Sequence, residues 1–168
     1  MDRTAMPRVD ALWKSTEFQR HLHNLGDLER NRIYCRHGLP HLLDVARIMR
    51  IRALADGVKI DPEVLYAAAL LHDIGKDEQY ETGIPHDVAS ERVARELLDA
   101  LPASLRFSSR DTERICTAIL GHRHLRADAE PLERMLYEAD KASRACFACK
   151  ARATCSWSDE KKNLRLEI

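Results

Sequence analysis

The stretch "PEVLYAAALLH", Pro62 to His72, is apolar on nearly every side of the helix it spells. Such a helix has no face for water, so other elements must surround it. Its limits are legible too: Asp61 is placed to cap it, Pro62 takes the first position, Glu63 sits in the first turn and Gly75 stops it. At the buried end come His72 and Asp73, then Gly75-Lys76, and a second His-Asp doublet follows at His86 and Asp87. A carboxylate at the end of so apolar a helix costs several kcal/mol unless it is paired or bound to a metal.

The surrounding elements also read as helices. Leu, Ala, Glu and Arg are abundant, Val, Thr and aromatics are scarce, and no run of period-2 alternation stands out. The pattern predicts helices over about Val9–Leu25, Pro40–Ala55, His86–Ala100, Ser109–Gly121 and Pro131–Ala145, besides the central one. "KDEQYETGIP" reads as a loop. The polar stretch Cys146–Ile168 reads as irregular, with "NLRLEI" as a short strand at its end. At 168 residues the simplest organisation is one all-α domain over 1–168, its core at about 33–145 and a Cys-rich extension at 146–168.

Charge narrows the function. Lys plus Arg and Asp plus Glu are 27 each, so no general basic bias favours nucleic acid or a membrane surface. Any phosphate-binding charge must therefore be local. No apolar stretch approaches the roughly 20 residues of a bilayer span, and "MDRTAMPRVDALWKS" has no apolar signal core, which makes the cytoplasm the default expectation.

Candidate ligands fall at defined places. His41 opens the second helix, His72 and Asp73 close the buried one, and Asp140 lies in "LYEADKASR", an apolar helical segment. Two acids and two imidazoles converging would suit a divalent metal that accepts mixed nitrogen and oxygen ligands. Each has a plainer reading: His41 on an amphipathic surface, Asp140 paired with Lys141 or Arg144, and His86 capping a helix. His37, four residues before His41, reads equally as a group near the site or as a solvated residue. His21 and His23 read as surface residues.

In this order, "HLLDVA" at His41, "LLHDIGK" at His72 and "EADKASR" at Asp140 resemble the HD superfamily of metal-dependent phosphohydrolases. The resemblance implies a compact multi-helix bundle with a metal site in its core, held by His41, His72, Asp73 and Asp140. His86 and His122 fall where the dinuclear branch of the family has two further histidines, with His124 a rival to His122. On that match Asp73 bridges two ions, as in family hydrolases of dinucleoside tetraphosphates and in its di-iron oxygenases. The implied cofactor is one or two divalent transition metals, Fe or Mn first, with Zn, Ni or Co admitted.

The implied activity is hydrolysis of a nucleotide or other small phosphate ester by a metal-activated water, with Asp73 and Lys76 catalytic. Lys76, Arg144 and His37 would meet the substrate. A di-iron oxygenase and a non-enzymatic metal or nucleotide sensor are the competing expectations.

"CFACKARATC" places Cys146, Cys149 and Cys155 close in sequence, and Cys35 is the best fourth partner. The spacing allows Zn or an iron–sulfur cluster, and equally free thiols or a redox pair. Because this segment follows Asp140 at once, it is placed to cover the mouth of the site. Cys116 reads as a buried small hydrophobe.

Overall fold

A computed structural model describes residues 5–166 and shows an all-helical bundle. Among the described residues there are eight α-helices: α1 (Pro7–Lys14), α2 (Thr16–Leu28), α3 (Leu39–Ala55), α4 (Pro62–Leu71), α5 (Lys76–Thr82), α6 (His86–Asp99), α7 (Ser109–Gly121) and α8 (Pro131–Ala142). Among them no helix is long and apolar enough to cross a membrane.

Helix α4 is the centre. Every residue but Pro62 and Tyr66 is buried, and α3, α7, α1, α6 and α8 pack around it. Asp61 accepts a hydrogen bond from the Glu63 backbone N–H at 2.9 Å, the cap expected of it. Glu63 is itself buried and is held by the Arg8 side chain (2.8 Å) and backbone N–H (2.6 Å), so α1 closes over the start of α4. Ser108 caps α7 in the same way, accepting from the Asp111 N–H at 3.1 Å.

Several local expectations are corrected. The helix expected over Val9–Leu25 is two, because Ser15 is extended (ψ 129°) and its Oγ accepts from the Phe18 N–H to start α2. The second of them, α2, runs through Gly26 to Leu28, past the expected end at Leu25. The expected loop "KDEQYETGIP" contains α5. Asp77 and Glu78 fill its first turn and Gly83, at φ +79°, ends it in the left-handed conformation that glycine adopts without strain. Helix α8 ends at Ala142 rather than Ala145, and Asn163–Leu166 forms no strand; Glu167 and Ile168 lie outside the described residues.

His21, expected at the surface, is buried against Asp77, with Nδ1 2.9 Å from Oδ2, and thereby ties α2 to α5. His23 is exposed as expected. Cys116 lies in the core.

One close approach positions the site. A Cβ on Gly75 would stand 2.5 Å from the Ala89 carbonyl carbon and the Ser90 nitrogen. Only glycine lets the α4–α5 turn lie this close to α6, where the Gly75 N–H donates to Ser90 Oγ at 3.0 Å. That contact sets His86, at the start of α6, beside the end of α4.

Candidate metal centre

The helix ends deliver six side chains to one place. His41 comes from the first turn of α3, His72 and Asp73 from the end of α4, His86 from the start of α6, His122 from the end of α7 and Asp140 from the last turn of α8. They form two groups that share Asp73: His41, His72, Asp73 and Asp140, and Asp73, His86 and His122. Within each group one ligand atom per residue lies within 4.8 Å of all the others.

Asp73 divides its oxygens between them. Oδ2 faces His72 Nε2 at 3.2 Å and His41 Nε2 at 3.4 Å, whereas Oδ1 faces His86 Nε2 at 3.4 Å and His122 Nε2 at 3.7 Å. Oδ1 is buried and has no hydrogen-bond partner. An orphaned buried carboxylate oxygen between two imidazoles is a costly arrangement for a purely structural group.

The histidines are oriented from outside. His72 Nδ1 donates to the Ala69 carbonyl at 2.7 Å and His122 Nδ1 to the Ile119 carbonyl at 2.6 Å. His86 Nδ1 donates to Gln79 Oε1 at 2.7 Å. His41 Nδ1 donates to Ser143 Oγ at 3.0 Å, while that hydroxyl donates to the Asp140 carbonyl at 2.7 Å. Acceptors on Nδ1 assign that proton in all four rings and turn each Nε2 toward the shared centre. Yet His41 Nε2 and His72 Nε2 stand 3.2 Å apart, as do His86 Nε2 and His122 Nε2. Two lone pairs cannot bond to each other, so each pair calls for a proton or a metal cation between or beside them. The donor set therefore fits two divalent ions, one per group, with Asp73 shared.

Protonation follows the same logic. Burial pushes His41 down to about 4, helped by Arg144. It pushes His86 down to about 3 and His122 down to about 4. At His72 burial acts in the same direction, but Asp73 and Asp140 outweigh it and raise the ring to about 10. Burial would raise both acids, yet the charged His72 beside them holds Asp73 and Asp140 well below the usual carboxylate range. One imidazolium is thus drawn in by two carboxylates, while three rings stay neutral and able to ligate.

The substrate-facing expectations land nearby. Arg144 is buried, and its Nη2 donates to His41 Nε2 at 2.8 Å and Asp140 Oδ1 at 3.2 Å, so its positive charge meets atoms of the first group. Lys76 Nζ lies 3.4 Å from His86 Nδ1. His37 is buried and lines the same cavity as both. His124 is exposed and belongs to neither group, which separates it from His122.

Several residues with roles here gave no sequence signal. Glu29 accepts from the His37 backbone N–H at 2.7 Å and from its Nδ1, and Tyr80 Oη donates to the same carboxylate at 2.8 Å. Gln79 and Ser143 orient two of the rings.

Above the two groups lies a cavity of about 420 Å³. Six cations line it, Arg32, Lys76, Arg123, Lys141, Arg144 and Lys161, against two acids, Asp73 and Asp140. A chain with no net charge has therefore gathered a local positive field around the buried carboxylates Asp73 and Asp140.

Of the cysteines, Cys35, Cys146 and Cys155 line the same cavity, and all five in the chain are free. Burial pushes the Cys35 thiol up; Arg144 works against this, and Cys146, Cys149 and Cys155 add to it.

The HD domain family matches residues 38–151, a span that holds all six residues of the two groups, and this chain belongs to that family. The chain is also 38% identical over 161 residues to an uncharacterized protein of Clostridium beijerinckii (strain ATCC 51743 / NCIMB 8052), covering 96% of this chain and 99% of that one. No solved structure matches it. The family and the buried His/Asp cluster together support a metal-dependent hydrolase in general.

Proposed function

We propose that the protein hydrolyses a nucleotide or a similar small phosphate ester at a dinuclear centre of Fe or Mn. The observation that carries this reading is the set of six cations lining a cavity that also reaches Asp73, His86, His122 and Asp140 of the two ligand groups. An anionic substrate is what that field selects. Tyr34 and Trp157 also line the cavity and offer flat faces for a base.

His41, His72 and Asp140 would hold one ion, His86 and His122 the other, and Asp73 both. Bound ions of this kind supply a water acidified toward neutrality and positive charge for phosphoryl oxygens. The chain's own groups do the rest. Lys76 would meet a phosphate oxygen as a point charge, and Arg144 would offer its guanidinium fork to another. His37, with Nδ1 fixed on Glu29, keeps an unprotonated Nε2 as a hydrogen-bond acceptor for a substrate hydroxyl.

The test is phosphate release from a nucleotide panel by protein purified without oxygen and loaded with Fe or Mn, compared with His72→Ala and Asp73→Ala. Loss of release in both variants, with helical content intact, is expected. Release unchanged in them ends this reading, and oxygen uptake by the ferrous protein without any phosphate release replaces it with an oxygenase on the same ligands.

A further inference from the structure

The segment after α8 is well placed but poorly buried. It contains two single turns of 3-10 helix, Cys146–Ala148 and Arg152–Thr154. From Ala145 to Leu166 the one fully buried residue is Cys146, and it lies outside the hydrophobic core cluster. Apolar burial does not account for holding some twenty residues in place against their conformational entropy.

Hydrogen bonds hold the segment instead: Asn163 accepts from the Phe147 N–H at 3.0 Å and donates to the Ala142 carbonyl at 2.7 Å, and further ties lie at or beside cysteines. Cys149 closes the first 3-10 turn, its N–H donating to the Cys146 carbonyl at 3.2 Å, and Cys155 closes the second on Arg152 at 3.4 Å. The connection between α2 and α3 comes to meet them. Tyr34 Oη donates to the Thr154 carbonyl at 3.2 Å, next to Cys155. Arg144 Nη1 donates to the Arg36 carbonyl at 2.9 Å, two residues before Cys146. Cys35 sits between Tyr34 and Arg36 and is thereby drawn to the other three, whose thiols it feels electrostatically. None of the four is in a disulfide.

We propose that Cys35, Cys146, Cys149 and Cys155 hold an iron–sulfur cluster that pins the segment after α8 against the cavity. Four sulfurs from two segments, the α2–α3 connection and the stretch after α8, match the ligand number of a cubane or a two-iron cluster. A mononuclear zinc, with Zn–S bonds of about 2.3 Å, would pull its thiolates to within about 3.8 Å of one another. Among the described residues no three of these sulfurs come within 4.8 Å of each other. A cluster keeps its thiolates wider apart because its own inorganic core stands between them. Ligation releases four thiol protons, and the ferric and ferrous charge of the core offsets the four thiolates. The proposal does not depend on the hydrolase reading, since none of its ligands belongs to the His/Asp groups.

Protein purified without oxygen and reconstituted with iron and sulfide tests it. The expected result is iron in excess of the His/Asp centre, acid-labile sulfide in at least two equivalents, and a broad visible absorption that bleaches with dithionite. Cys149→Ser and Cys155→Ser should lose sulfide and absorption while keeping the metal of the His/Asp centre, which shows that they fold. Cys116→Ser, in the core, and Asp140→Asn should keep the sulfide. Absence of sulfide in the full-length protein, zinc at the cysteines in its place, or sulfide unchanged in both cysteine variants would overturn the proposal.

Discussion

His72 and His122 stand edge to face, ring centroids 5.1 Å apart at 82°, although they belong to different ligand groups. Each closes a helix, α4 or α7, and each gives its Nδ1 proton to the carbonyl three residues earlier. The same helix-end device is used twice, once on either side of Asp73. Two packed helices thus fix the Nδ1 side of two imidazoles with backbone carbonyls of their own, whereas His41 and His86 rely on the side chains of Ser143 and Gln79.

Metal stoichiometry should follow the division of Asp73. His86→Ala and His122→Ala are expected to lower bound Fe or Mn from two equivalents to one, whereas Asp73→Ala lowers it toward none. Phosphate release falls in all three. Metal analysis of the purified variants checks this, and two equivalents retained in His86→Ala would remove the second ion from the scheme.

Gln79 and Ser143 orient His86 and His41 without reaching the centre. Gln79→Leu and Ser143→Ala should weaken metal affinity or activity by about 10–100-fold, the usual cost of losing an outer hydrogen bond to a ligating histidine. Competition with a chelator gives the affinity directly. Unchanged affinity in both variants would show that helix packing alone orients the rings.

Substrate charge should be read by Lys76. Lys76→Met is expected to raise KM for a phosphate ester by about tenfold or more, on the order of 1–2 kcal/mol for a lost charge-assisted contact, with metal content unchanged. Raising ionic strength should weaken binding in the parent more than in the variant. Steady-state kinetics at two salt concentrations distinguishes this from a general loss of folding.

Gly75→Ala tests the approach of α6 to the α4–α5 turn. Its new Cβ meets backbone at 2.5 Å, which no rotamer change relieves. A loss of about 1–3 kcal/mol in urea unfolding is expected, together with weaker second-ion binding as His86 shifts.

Metal-free protein should be most stable near neutrality. His41, His86 and His122 are lowered from an ordinary value of 6.5 to about 4, 3 and 4. Below 6.5 the unfolded chain takes up protons that the folded one refuses, so stability falls as pH drops through that window. His72, raised to about 10, acts the other way: its contribution is full below 6.5 and is lost as pH rises toward 10. Three rings against one make the acid limb the steeper. A urea midpoint that is flat from pH 7 to 5 in the presence of chelator would contradict this.

Much of this architecture was legible because its signals are local. Asp61, Ser108 and the prolines at 62 and 131 mark helix starts in the sequence, and the all-apolar α4 could only be central. The order His41, His72-Asp73, Asp140 carried the first ligand group, and His86 with His122 the second. What escaped depends on distance in sequence. Glu29 gives no sign that it will hold His37, and Asp77 none that it will bury His21, since each pair forms only after the helices dock. The break at Ser15 is invisible to a periodicity that continues through it. The six cations around the cavity are scattered between Arg32 and Lys161, so a composition with equal charges concealed the field they make together.

Because α4 has no solvent-facing side, the donors at its end move only if the whole interior moves. The histidines and acids at the base of the cavity are therefore a rigid template, and discrimination among differently sized guests falls to Ser156 and Trp157, which line the cavity from turns rather than from packed helices. In descendants of this chain, a change of diet would be written in those turns long before it touched the template.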